Sequence, residues 1–185
     1  MSKATGKPAS IEEVQGLIQS IKDTKEALNG DQRLAKAKFK AEIFINQLKD
    51  LNNAQRVDSI KQANDTDNLK DLSQIVSTAS DLNNSMSELK AKLKETVNPV
   101  KSSINYINAD YDLKRQFNKA IKDAREALSK TKGANLNERD IQGLSQAIDS
   151  TKDALNGEQR LAEAKEKSKQ FIKQLDTCLL YTSDA

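Results

Sequence analysis

Thr24-Lys25-x-Ala27-Leu28-Asn29-Gly30-x-Gln32-Arg33-Leu34-Ala35-x-Ala37-Lys38 returns as Thr151-Lys152-x-Ala154-Leu155-Asn156-Gly157-x-Gln159-Arg160-Leu161-Ala162-x-Ala164-Lys165. Residues 2–49 and 129–176 can be laid on each other at a constant offset of 127 residues, with no gap. The six glycines fall into three pairs at the same spacing: Gly6/Gly133, Gly16/Gly143 and Gly30/Gly157. Self-similarity of this kind marks a piece of an array, and arrays work by length and multiplicity more often than through one reactive centre. A unit of 127 residues exceeds a simple solenoid repeat of roughly 20–50 residues, so each unit must hold more than one packed module.

Around the repeated motif the apolar residues recur at helical spacing, with no sustained alternation of the kind a strand needs. Ile11, Val14, Leu17, Ile18, Ile21 and Leu28 form one stripe, opened by Ser10 and Glu13 as a capping box. Asn29-Gly30 reads as a C-terminal cap, both residues tolerating the left-handed conformation. Asp31 then caps a helix over about 31–49, with Leu34, Ala37, Ala41, Phe44, Ile45 and Leu48 inward. A short helix follows Asn52-Asn53, and Asn64-Asp65-Thr66-Asp67 reads as a turn. A long helix runs to about residue 96, where Asn98-Pro99 is expected to stop it. One helix is expected over about 101–131 through Ile104, Ile107, Tyr111, Phe117, Ile121, Ala124 and Leu128. Asn137 caps the next, and Asn156-Gly157 precedes the last, about 158–175.

These seven helices predict an all-α fold of tandem three-helix bundles that share the long helix, giving a rod-like repeat array. Residues 31–49, 53–63 and 66–82 close one bundle. The second half of the long helix closes another with 101–131 and 138–155. Apolar positions are mostly Leu, Ile, Val and Ala, and aromatics make up 4% of the chain. The cores should therefore be thin, and neighbouring modules should support each other.

Composition excludes several functions. Thirty basic and 27 acidic residues, a formal charge of +3, are mixed along the chain, which suits a solvated helical surface and not a nucleic-acid groove. No apolar run approaches the roughly 20 residues of a membrane span, and no signal peptide opens the chain. Met1 stands opposite Leu128 in the repeat, so the chain is expected to begin inside a unit, and the missing signal peptide then says nothing about compartment. The echo fails at the other end, where Cys178-Leu179-Leu180-Tyr181-Thr182-Ser183-Asp184-Ala185 replaces the expected apolar-Asn-Asn-Ala-Gln. That string resembles a translated library adapter, so residues 178–185 are expected to be a non-native tail. Without them the sequence has neither Cys nor His, which removes thiol chemistry and the usual zinc ligand sets.

No residue pattern points to catalysis, a cofactor or a metal. Asp65-Thr66-Asp67-Asn68 lacks the glycine of a calcium loop and has Val76 where the bidentate acid should be, so it reads as a capping turn. Carboxylates form no isolated pair for general acid–base work, and the glycines form no phosphate loop. Tyr111 lies on the apolar stripe and is assigned to the core. Tyr106 lies off the stripe, where it is either packing or a binding anchor. The rows Lys36, Lys38, Lys40 and Lys90, Lys92, Lys94 read as solvated faces able to add weak, salt-sensitive contacts. Tyr106, Lys90 and Lys94 are the candidate partner-binding residues.

Leu28-Asn29-Gly30-Asp31-Gln32-Arg33-Leu34-Ala35-x-Ala37-Lys38, followed by Ile45-Asn46-Gln47-Leu48 and Leu51-Asn52-Asn53-Ala54-Gln55, resembles a GA-type module. Leu82-Asn83-x-Ser85-Met86-x-x-Leu89 with Tyr111-x-x-Lys114-x-x-Phe117-x-x-Ala120-Ile121-x-x-Ala124 resembles a FIVAR module. Alternation of the two at this period is similar to the giant extracellular-matrix-binding proteins of staphylococci, and the likeness covers residues 2–177. It implies the end of a FIVAR-like module over 1–28, a GA-like module over 29–82 and a FIVAR-like module over 83–156. Residues 157–177 would be the first helix of a second GA-like module. It also implies a non-enzymatic protein of the Gram-positive cell surface or cell wall, a helical rod that binds host matrix proteins such as fibronectin through many weak contacts. A purely architectural envelope spacer is the alternative. Some GA modules bind albumin through the second helix and its flanks, using an aromatic-bearing surface. Asn52 to Leu69 carries no aromatic residue, so albumin is not expected as a partner.

Overall fold

The computed structural model describes the backbone of residues 9–183 and the side chains of residues 9–175. Side chains of the expected tail, residues 178–185, lie outside it, as do residues 1–8 around the expected mid-unit start. Among the described residues eight helices follow one another: α1 Ile11–Ala27, α2 Gly30–Gln47, α3 Asn53–Asp65, α4 Leu69–Lys101, α5 Ile104–Ile107, α6 Tyr111–Ala127, α7 Glu138–Asp153 and α8 Gly157–Ser183.

Polar caps set most of these boundaries. Ser10 and Glu13 form the expected capping box at α1, and Asn137 and Asp140 form another at α7. Asn68 caps α4 by accepting from the Asp71 N–H at 2.9 Å. The C-terminus of α2 is closed from a distance. The Arg56 guanidinium, on α3, donates to the carbonyls of Ile45, Asn46 and Leu48 at 2.9, 2.8 and 2.7 Å. One cation thereby gathers three carbonyls at the end where the helix dipole favours positive charge, and the Ile45 carbonyl also accepts from the Leu48 N–H at 3.2 Å.

α2, α3 and the first half of α4 close one three-helix bundle around Ala41, Ile45, Leu51, Ala63, Leu72 and Ala79. The second half of α4 closes another with α6 and α7, around Leu89, Leu93, Phe117, Ile121, Ala124, Ile141 and Ile148. The two cores are continuous through α4, the shared helix. Small residues on α6, Ala120, Ala124 and Ala127, are buried and let its neighbours approach closely.

Four expectations need correction. α4 does not stop at Asn98-Pro99 but runs to Lys101. Pro99 removes a single N–H near the end of the helix, where one lost bond is tolerable, while Val97 and Val100 still pack on the second core. Ser102 and Ser103 end the helix with their hydroxyls, which donate to the carbonyls of Asn98, Pro99 and Val100.

The single helix expected over 101–131 is two, α5 and α6. Their break at Asn108–Asp110 is held by Asn156, 46 residues further on. As a result Ile104, Ile107 and Tyr111 leave the apolar stripe, and Tyr111 is 78% exposed instead of buried. Asn29-Gly30 is not a left-handed cap either. Among the described residues no φ is positive, and Gly30 is the first residue of α2 with Asn29 before it as N-cap. Lastly, three lysines read as solvated have partners: Lys38 donates to the Asn64 carbonyl at the end of α3, Lys90 pairs with Asp50 at 2.9 Å, and Lys92 pairs with Asp149 on α7 at 2.5 Å.

Candidate functional site: module junctions and exposed faces

The buried polar side chains lie where the two bundles meet. Asn52 and Gln55 are 0% and 1% exposed, and each caps the other at the start of α3: Asn52 N–H donates to Gln55 Oε1, Gln55 N–H to Asn52 Oδ1. That arrangement leaves two amide NH2 groups pointing out of the first bundle. Asn52 Nδ2 donates to the carbonyls of Ala127 and Ala134 at 3.3 and 2.9 Å, and Gln55 Nε2 donates to Leu136 at 2.9 Å. The Asn53 N–H reaches the Lys130 carbonyl at 2.9 Å. These acceptors are the last residue of α6, Ala127, and the segment that joins α6 to α7.

Lys130 returns the contact, donating from Nζ to the carbonyls of Lys49 and Leu51. Partial burial lowers its pKa from the usual lysine value, with nearby Asp50 pulling the other way. Gly133 fits beneath the Asn52 side chain, where any Cβ would stand 2.5 Å from its nitrogen. The motif Asn52–Gln55 is therefore a latch onto the backbone of the second bundle. From the sequence it reads only as a helix break, because its acceptors are carbonyls about 80 residues away.

A second junction joins the second bundle to α8. Asn156 holds Asp110 by two hydrogen bonds, Asp110 pairs with Arg160 at 2.7 Å, and Arg160 also donates to the Asn108 carbonyl at 3.2 Å. The Glu158 N–H donates to Asn105 Oδ1 at 3.1 Å. Gly157 lies flat on α5. A Cβ there would meet the Ala109 nitrogen at 2.7 Å and the Asn105 carbonyl closer still, whereas one on Gly30 would meet nothing. Close approach, and not a left-handed turn, explains the second glycine.

The three candidate partner-binding residues lie in different surroundings. Tyr106, on α5, is half-buried, with its ring edge-on to Phe117 at 5.9 Å, its hydroxyl accepting from Asn118 Nδ2 and Lys114 above its face. Lys90 and Lys94 stand one turn apart on α4, both exposed, with Lys90 paired to Asp50 at 2.9 Å. The structure brings the two lysines together on one ridge and leaves Tyr106 apart, beyond the end of α4. Among the described residues no group of His, Cys, Asp and Glu is placed to hold a metal ion, and no helix is long and apolar enough to cross a membrane.

Known proteins share this arrangement. The GA module matches residues 31–85 and the FIVAR domain residues 85–156. The extracellular matrix-binding protein ebh of Staphylococcus aureus strain MW2 is 37% identical over 95% of the chain. EbhA of strain Newman is 36% identical over 90%. The chain spans only 2% and 5% of the length of these relatives. The crystal structure of an EbhA domain from S. aureus superimposes with a TM-score of 0.80 at 29% identity, covering 86% of this chain and 66% of that one. A structure of the extracellular matrix binding protein Embp, which mediates adherence of Staphylococcus epidermidis to fibronectin, matches with a TM-score of 0.60 at 26% identity. It covers 68% of this chain and 98% of that one. With both modules matched in series, and the latch of Asn52–Gln55 lying between their buried cores, the chain belongs to the GA-module and FIVAR-domain repeats of the staphylococcal extracellular matrix-binding proteins.

Proposed function

We propose that this chain is an adhesive and load-carrying segment of a bacterial surface rod, outside the cell and attached to its wall, with fibronectin as its matrix ligand. In this reading residues 1–28 end one FIVAR-like module, 29–82 and 83–156 form a GA-like and a FIVAR-like module, and 157–177 begin the next GA-like module. Each unit binds weakly, and the many units of a long chain raise the apparent affinity steeply, since the second contact is intramolecular. The observation that carries the reading is the pair of locked junctions. They hold successive modules at a fixed spacing and rotation, as a multivalent rod requires. Binding of matrix by the relatives supports the ligand class.

A biotinylated chain, displayed in many copies on streptavidin beads, should bind immobilised fibronectin with a concentration-dependent signal that the monomeric chain lacks. Absence of signal from the multivalent beads overturns the adhesive half. The locked junctions alone also favour the architectural spacer, for which scattering should still give an extended, rigid particle. Albumin has weaker support, since α3 offers it no aromatic side chain.

A further inference from the structure

We infer that the outer face of α2 is the docking surface for the matrix protein and that it takes an acidic segment carrying an apolar anchor. The inference rests on the adhesive reading and adds the site and its chemistry. Phe39 and Ile43, one turn apart on α2, are 66% and 44% exposed. Further round the helix Phe44, also exposed, lines a groove of about 350 Å³ between α2 and α4, with Ala41, Leu72 and Val76 in its walls. Lys36 and Lys40 project between these two apolar strips and make no ion pair with any described residue. A face of this kind offers two apolar contacts with two cations between them.

The other copy of the repeat indicates that the module does not require it. At the offset of 127 residues Phe44, Ile45 and Leu48 return as Phe171, Ile172 and Leu175, whereas Phe39 and Ile43 return as Glu166 and Gln170. The positions that face the bundle or its groove are kept and the outward apolar pair is not. The first copy therefore carries an addition to its surface, not a structural necessity.

Three occupants are conceivable, and two are disfavoured by what the structure holds. A neighbouring module would have to reach far along the helix. Among the described residues the hydrogen bonds and the ion pair that hold α8 fall within Asn156–Arg160, so a module docked on α2 in the same way would be held at Asn29–Arg33 and stop short of Phe39. A second copy of the same face would set Lys36 and Lys40 against their own equivalents. An acidic partner gains from both lysines, and this complementarity selects it.

Two variants test the surface, with fibronectin as the probe and streptavidin-displayed chains. F39E/I43Q installs the residues that the second copy already carries, and K36E/K40E reverses the charge. Both should keep the helical signal and melting temperature of the parent chain. Each should weaken binding about tenfold or more, and K36E/K40E should also remove most of the salt dependence of the parent. Parent binding with both variants within twofold of it overturns the site and leaves the adhesive reading standing. Loss with F39E/I43Q alone overturns the acidic chemistry of the partner. No binding by the parent overturns the adhesive reading, and the site falls with it.

Discussion

The two junctions do the same work with opposite chemistry. The latch between the bundles has a buried, uncharged centre: two amides donate to backbone carbonyls with a glycine beneath them, and the Lys130 ammonium stands only at its exposed edge. The junction onto α8 is wet and charged, with the Asp110–Arg160 pair about half-exposed at its centre. A buried amide that loses its partner has no water to turn to, whereas an exposed ion pair is worth little and is screened by salt. The first junction should therefore behave as part of the core. The second should behave as a docking contact whose shape, set by Gly157, matters more than its charge.

Asn52→Ala should have the largest effect. It removes a helix cap and leaves the Gln55 N–H and the Ala127 and Ala134 carbonyls without their partner. A loss of about 3 kcal/mol is expected from urea unfolding, together with separation of one transition into two as the bundles uncouple. A loss below about 1 kcal/mol with a single transition would mean that the apolar continuity of α4 alone couples the modules.

Next in size is the same substitution at two equivalent glycines. Gly157→Ala should cost about 1–3 kcal/mol, read as release of α8 by amide hydrogen exchange. Gly30→Ala, with open space around it and a helical φ, should be neutral or stabilising by up to about 1 kcal/mol. Equal effects would remove close approach as the reason for Gly157.

The smallest effect concerns Lys130. Its pKa is lowered in the folded chain, so the unfolded chain holds more protons over the interval below 10.5. That group costs stability at neutral pH, and the cost is relieved as pH rises through its folded pKa toward the ordinary value. NMR titration of methyl-labelled lysines should place Lys130 below the ordinary lysine value, and Asp50→Asn should move it lower still. A Lys130 that titrates at the ordinary lysine value would show that its carbonyl contacts do not desolvate it.

Local chemistry made much of the fold legible. The capping box at Ser10 and the cap at Asn137 were readable because their partners lie within one turn of the same helix. The bundles were readable because apolar stripes of fixed period have few ways to close. What escaped reading was set at long range. The break at Asn108–Asp110 depends on Asn156, the end of α2 on Arg56, and the exposure of Tyr111 follows from that break. Pro99 misled because a proline near a helix end removes only one bond. Among the candidate residues, Lys90 and Lys94 are where a solvated ridge was expected. Tyr106 turned out to be engaged with Phe117 and Asn118, partners that helical spacing alone did not reveal.

The shared helix α4 has a geometric consequence. Its 33 residues span about 50 Å at 1.5 Å per residue, and each residue advances the helix by about 100°. Because one unbroken helix serves both bundles, the angle between their faces is fixed by a residue count, as on the thread of a screw. One residue inserted between Ala79 and Leu89 would leave each bundle's own stripe intact, yet turn one bundle by more than a quarter of a revolution against the other. Such an insertion would tear the Asn52 latch from its carbonyls. The length of α4 is thus the setting that decides which way each successive face of the rod looks.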